Sequence, residues 1–241
     1  SPLQHDDWEE FRDPDALIYR VYTRNQDSQE EFIDGVLNEH NDIDHDLHLQ
    51  PEWLDLLEEL YTPRRYLQTA LQMSAAYLLQ IAPASTITAC AGFQEGDELR
   101  WLQRIAYRTR ELQNAHPERQ FSKSERSQWE GAPVFQGLRE LMEKALIAYD
   151  WGESFVANNL VAKIAADETL RELSTVARSF RDPLLASLAE NQLRDSDRSR
   201  RWSAELVKFC TDAKPQNKEI IHISERTGTS SGGSRHSNCP Y

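Results

Sequence analysis

Cysteine is scarce in this 241-residue chain, and its three copies, Cys90, Cys210 and Cys239, are odd in number and far apart. That excludes a disulfide framework and the close spacing of a zinc cluster, and it points to a reducing, cytoplasmic setting. Glycine is scarce as well, and three of the nine glycines (Gly228, Gly232, Gly233) fall in one late stretch. So few before that point favour helices over strands joined by tight turns. No apolar run approaches the ~20 residues that cross a bilayer, so no membrane segment is expected. Residues 1–13 are acidic and polar, without the apolar middle of a signal peptide. Basic charge is the other deficit. With 27 Lys and Arg against 40 Asp and Glu, the formal net charge is -13, which denies nucleic acid the cationic surface it requires. Walker loops, Gly-x-Gly-x-x-Gly turns and Ser- or Cys-centred nucleophile motifs are lacking too, leaving phosphate and dinucleotide sites unsupported.

What is present is helical periodicity on a scale that one domain can bury. Residues 1–25 carry Trp8, Phe11, Tyr19 and Tyr22 without a regular period, and read as an ordered arm lying on another surface. Ser28 with Glu31 makes a capping box before Phe32, Ile33, Val36 and Leu37, predicting a helix from there to about Asn41. Pro51 and Pro63 suit helix starts, the second opening a deeply buried helix over 64–81. Long helices follow over 85–114 and 134–163, then a shorter one over 169–179, and Pro183 opens a last long helix to about Cys210. A helical domain over 26–213 results, with 214–241 as a tail expected to be disordered, because 227–234 is a Ser, Thr and Gly run with no core-building residues. The architecture that satisfies this order is all-α, a helical bundle with additional short helices.

Two of the long helices share a frame. Asp97 and Arg100 in one, Asp195 and Arg198 in the other, place an acid three residues before an arginine, as surface neighbours on a helix. The frame matters because Glu-x-x-His motifs on two helices of a bundle build a carboxylate-bridged di-iron centre. Here the ligands are missing. Glu98 stands at the first glutamate's place with Trp101 where its histidine belongs, and Ser196 and Ser199 stand at the matching places of the second copy. An indole offers a metal no lone pair, and neutral hydroxyls cannot hold iron unaided. The acid and arginine pairs then read as structural ion pairs that keep the helices in register. A second set, His40, Asp42, Asp44, His45, Asp46 and His48, has ligand-type residues but reads as a polar turn. Cys90, among Ala, Ile and Thr, reads as a small buried residue. Trp101, Trp151 and Trp202 read as packing anchors rather than an electron path.

The stretches 1–22 (SPLQHDDWEEFRDPDALIYRVY), 65–86 (RYLQTALQMSAAYLLQIAPAST), 99–109 (LRWLQRIAYRT), 136–156 (QGLRELMEKALIAYDWGESFV) and 192–208 (QLRDSDRSRRWSAELVK) carry a resemblance. The chain resembles the β subunit of the hydroxylase component of bacterial multicomponent monooxygenases, of the toluene and benzene type. The resemblance implies a ferritin-like fold without metal ligands, and a non-catalytic structural role with no cofactor on this chain. It implies α and γ partner subunits with the di-iron site on α. A regulatory protein, a Rieske ferredoxin and an NADH reductase complete the system that hydroxylates aromatic hydrocarbons such as toluene or benzene. The remaining two α-subunit glutamates fall near Arg65 or Tyr66 and near Gly152 or Glu153. Glu98 and Glu153 are then expected as buried acids paired with Arg65 or Arg100. Trp8, Phe11, Tyr19, Tyr22, Arg65 and Tyr66 are the residues expected to contact α. The rival readings are a divergent ferritin-like metal enzyme using Glu98, Glu153 and the histidines near His45, a free-standing helical module, and a β subunit of an alkene or phenol monooxygenase.

Overall fold

Residues 1–222 are described by a computed structural model, and among them there is no strand. Four long helical segments form the centre: α3 (Arg64–Ile81), α4 (Ser85–Ala115), α8 (Lys163–Ser179) and α9 (Pro183–Ala213). α3 and α4 are adjacent across a short connection, as are α8 and α9, so the bundle is two helical hairpins packed face to face. α1 (Tyr19–Asp42) lies across α9, and shorter helices close the ends: α2 (Pro51–Leu56), α5 (Glu125–Gly131), α6 (Pro133–Leu146) and α7 (Trp151–Phe155).

Proline at the first turn starts α2, α6 and α9, where its missing N–H costs nothing. For α9 the Asp182 side chain also accepts from the Leu185 N–H as N-cap. Two boundaries differ from the expected ones. α1 begins at Tyr19 and not at Ser28, because Tyr22 and Gln26 continue the inward stripe of Ile33 and Leu37. The stripe's first half faces a polar layer, and a search for apolar spacing passes over it. The helix expected over 134–163 is broken, since α6 ends at Leu146 and Asp150 caps a new helix by accepting from the Gly152 and Glu153 N–H groups. From Trp151 the chain then stays helical to Ser179, passing through a π-helical segment at Val156–Ala162 and absorbing the helix expected over 169–179.

The arm folds back on its own chain. Leu3 and Phe11 enter the core cluster of Leu78, Ile87, Phe155 and Trp202. Trp8 meets Trp151 edge to face with centroids 4.7 Å apart, and His5 stacks on Phe209 at 4.0 Å. Gly152 permits this approach, because a Cβ there would lie 2.8 Å from Ser1 Oγ and 2.9 Å from Leu3 Cδ1. The tail departs from expectation at its start. Residues 217–222 are helical and Ile221 is buried, while Asn217 donates to the Gln4 carbonyl at 2.8 Å and accepts from the Gln4 N–H at 3.1 Å. The Ser, Thr and Gly run over 227–234, and Cys239, lie outside the described residues.

Candidate functional site: a closed polar core in the bundle

The acid and arginine frame pairs across helices rather than within them. Arg100 on α4 meets Asp195 on α9, and Arg198 on α9 meets Asp97 on α4. All four side chains are largely buried. The indole N–H of Trp101 donates to Asp195 Oδ2 at 2.6 Å, so this residue is turned onto the acid of the opposite motif. α1 completes the layer: Tyr22 donates to Asp97 Oδ1 at 3.1 Å and Gln26 to the same atom at 3.0 Å. Gly96 makes room for this, since a Cβ there would lie 2.6 Å from the Tyr22 hydroxyl. Arg100 also reaches Glu30 at 2.9 Å. Two crossed ion pairs sharing hydrogen-bond partners tie three helices in one register.

Further inside, Glu98 is paired with neither Arg65 nor Arg100, and its counter-charge is Lys163 at 2.8 Å. Lys163 opens α8 immediately after the π-helical segment and lies 3.4 Å from Asp167 one turn on. Gln68 on α3 donates to Glu98 Oε2 and accepts from Gln192 on α9 at 2.9 Å. Ser196 donates to Asp167 Oδ1 at 2.8 Å, and Arg200 pairs with Asp167 Oδ2. Ser199 is buried beside them, whereas Glu153 is exposed and takes no part. One turn towards the other end lies a neutral layer in which Asn159 donates to Gln94 Oε1 and Ser203 Oγ, each at 2.9 Å. Trp202 donates to the same Gln94 oxygen at 3.2 Å.

The groups at this place do not fit iron. The Glu98 carboxylate holds the Lys163 ammonium and the Gln68 carboxamide, the Asp167 carboxylate is taken by Lys163, Arg200 and the Ser196 hydroxyl, and the Trp101 indole is turned to Asp195. Burial works to raise the Glu98 carboxyl and Lys163 works to lower it, the balance lying above the ordinary 4.5. Burial also works against the Lys163 charge, and Glu98 and Asp167 outweigh it, holding the ammonium above its ordinary 10.5. Gln68, Lys163 and Asp167 escape a search by motif because none is a ligand type at ligand spacing. The signal that could have found them is the run Asn159, Lys163, Asp167, a four-residue polar spacing inside an apolar helix.

The histidine and aspartate cluster does not converge. Asp46 forms a two-pronged ion pair with Arg108, His45 Nε2 lies 3.2 Å from Asp182 Oδ1, and the His40 and His48 rings approach the Val36 and Asp44 carbonyls. Among the described residues no group of three or more His, Cys, Asp or Glu side chains could hold a metal ion. Burial works to raise the Asp182 carboxyl, but His45, the Arg108 charge, the Leu185 N–H and the Trp53 indole outweigh it and hold the pKa below the ordinary 3.8. A lowered folded pKa means that the folded state binds fewer protons than the unfolded one. The stability from Asp182 is therefore fully present above pH 3.8 and is lost as pH falls through the folded value. In urea unfolding followed from about pH 5 down to about pH 2, Asp182→Asn will lose stability less steeply than the parent; an equal slope would refute this role. Cys90 is buried, and burial pushes its thiol up to about 12, which leaves it inert as a nucleophile.

The six residues expected at a partner surface divide. Phe11 is 1% exposed and has no face left to offer, and Tyr22 is turned inward to Asp97. Trp8 is half-buried against Trp151. Tyr19 is 75% exposed beside Ile18 at 61%, the most open apolar pair of the arm. Arg65 lies over the Tyr66 ring at 5.0 Å, and Tyr66 lines an open groove of about 620 Å³ with Trp129, Arg126 and Arg139.

The fold and its core define a class: an all-α, ferritin-like bundle whose buried polar core is closed by its own side chains. Residues 1–214 match the family described as Methane/Phenol/Alkene Hydroxylase, and the chain belongs to that family. It is 45% identical over 222 residues, 92% of this chain and 68% of the relative, to the hydroxylase component subunit beta of the toluene-4-monooxygenase system of Ectopseudomonas mendocina. Among solved structures it is similar to toluene 4-monooxygenase (T4moH) with toluene bound in the resting active site, with a TM-score of 0.93 and 43% identity. That match covers 95% of this chain and 76% of the other. Xenon-pressurised phenol hydroxylase from Pseudomonas sp. OX1 shares the fold at TM-score 0.81 and 20% identity, over 94% of this chain and 69% of the other.

Proposed function

We propose that this chain is the non-catalytic β subunit of a soluble di-iron monooxygenase hydroxylase, an (αβγ)2 assembly that hydroxylates an aromatic hydrocarbon such as toluene or benzene with O2. The observation that carries this reading is the Glu98–Lys163 pair at the bundle's metal place, together with 45% identity to a hydroxylase beta subunit. With an ammonium there, oxygen chemistry belongs to the α partner, and this chain supplies shape and surface. Electrons reach α from NADH through a reductase and a Rieske ferredoxin, and a regulatory protein docks on the assembly. A cytoplasmic setting suits a chain in which no described helix is long and apolar enough to cross a membrane.

Within this reading residues 1–25 are the arm, 26–213 the bundle and 214–241 the tail. The arm contacts α through Ile18 and Tyr19 at the start of α1, and Arg65 and Tyr66 offer a second surface beside the groove. Co-expressed with α and γ subunits of the toluene type, the tagged chain will retain both, with iron following α and NADH-dependent toluene hydroxylation dependent on its presence. Changing Ile18 and Tyr19 to Asp together will weaken retention of α by about tenfold or more, as loss of an apolar anchor does. Iron that stays with the isolated chain, or an α subunit fully active without it, would overturn the proposal.

A further inference from the structure

We infer that the Lys163 ammonium is the bundle's built-in cation, supplying the positive charge that a metal ion supplies in carboxylate-bridged bundles and closing the core to metal. Three observations carry this. First, all four central helices contribute to the network around it: Glu98 from α4 and Asp167 from α8 meet the ammonium, Gln68 from α3 holds Glu98 and is held by Gln192 from α9, and Ser196 from α9 holds Asp167. This is where facing helices of a bundle build metal sites. Second, Lys163 Nζ lies 2.8 Å from Glu98 Oε1 and 3.4 Å from Asp167 Oδ1, the two carboxylates at the place, with side-chain exposures of 5%, 2% and 4%. Third, the charges close: Glu98 and Asp167 are matched by Lys163 and by Arg200, which holds the outer oxygen of Asp167. Without Lys163, Glu98 keeps, among the described residues, only the Gln68 amide as a side-chain donor, and a buried carboxylate without a counter-ion is strongly unfavourable.

The donor set left behind by removing the lysine is all oxygen: two carboxylates and the Ser196 hydroxyl. Hard oxygen donors of this kind suit a small divalent ion such as Mn2+. Lys163 is thus a positioning residue that has taken over a cation's task, which lets the core close without metal uptake.

The test uses the full chain and reads stability and metal content, so its outcome is separate from whether the chain assembles with α. Lys163→Met, which keeps most of the volume and removes the charge, will lower Tm by about 6 °C or more. Adding Glu98→Gln to that variant will restore most of the loss, because the orphaned charge is then gone. Lys163→Ala will retain close to one Mn2+ per chain after desalting and will gain Tm with added Mn2+. The parent will retain none and will respond neither to Mn2+ nor to a chelator. If Lys163→Met leaves Tm unchanged, Lys163 only fills space, and if Glu98→Gln fails to rescue a loss, that loss does not come from a stranded Glu98 charge; either result makes the inference wrong. Metal uptake by the parent equal to that of Lys163→Ala, or none by Lys163→Ala, would overturn it as well. Should Lys163→Ala fail to fold, the double variant still decides the charge question.

Discussion

Asp97→Ala will destabilise the chain by about 3–5 kcal/mol, the usual result of removing one partner from a buried ion pair. In a chain of this length that is a fall in Tm of roughly 10 °C. Asp97 is 3% exposed and receives Arg198, the Tyr22 hydroxyl and the Gln26 amide. Its removal strands a guanidinium that burial already depresses below the ordinary 12.5, and whose ring contact with Tyr22 cannot replace a carboxylate. The pairing pattern makes the prediction specific. A double-mutant cycle between Asp97 and Arg198 will give a coupling of about 2–3 kcal/mol, and one between Asp97 and Arg100, its neighbour within the motif, will give clearly less, because those two meet only through shared partners. Urea denaturation of the four variants in each cycle measures both. Equal couplings would mean that each acid serves its own helix, and the crossed register would be wrong.

Arg108→Met will cost a similar 3–5 kcal/mol. The Arg108 side chain is 1% exposed, lies towards the C-terminal end of α4 and binds Asp46 through both Nη atoms, the second at 2.5 Å. Burial works against its charge, and the Asp46 hydrogen bonds and charge outweigh it, raising the guanidinium above its ordinary value. The pair holds the turn at His45–His48 against α4, and His116 closes it with its Nε2 2.8 Å from the Asp46 carbonyl. Removing the guanidinium frees that turn, so amide exchange over 44–49 will accelerate in Arg108→Met well beyond the global change. Adding Asp46→Leu will recover part of the loss, because an apolar pair leaves no stranded charge. Unchanged exchange over 44–49 would show that the turn is held by the apolar packing of Trp53 alone.

These two sites show what could be read along the chain and what could not. Pro51, Pro63 and Pro183 announce helix starts because the residue that fixes the backbone acts locally. The frame that sets Trp101 one turn from Glu98 and Ser199 one turn from Ser196 is legible for the same reason, since residues three apart on one helix have a fixed relation. The early start of α1 was hidden because Tyr22, half-buried, and Gln26, buried, face polar groups and break the apolar period. The helix break at Asp150 was hidden within an otherwise continuous helical pattern, and the capping aspartate outweighed it. The resemblance pointed to acids near Arg65 and Glu153, but the core is completed by Gln68, Lys163 and Asp167.

The sequence by itself determined an all-α chain, the helical frame carrying Asp97, Arg100, Asp195 and Arg198, and the absence of histidines beside Glu98 and Ser196. Each of these follows from residue chemistry and the helical repeat. Only the tertiary structure decided that the acids exchange arginines between α4 and α9 and that Lys163 answers Glu98 from a third helix. The physical reason is that a buried charge takes as its partner whichever opposite charge the packing of helices brings within a few ångströms. Separation along the chain, 95 residues between Arg100 and Asp195, does not enter that distance.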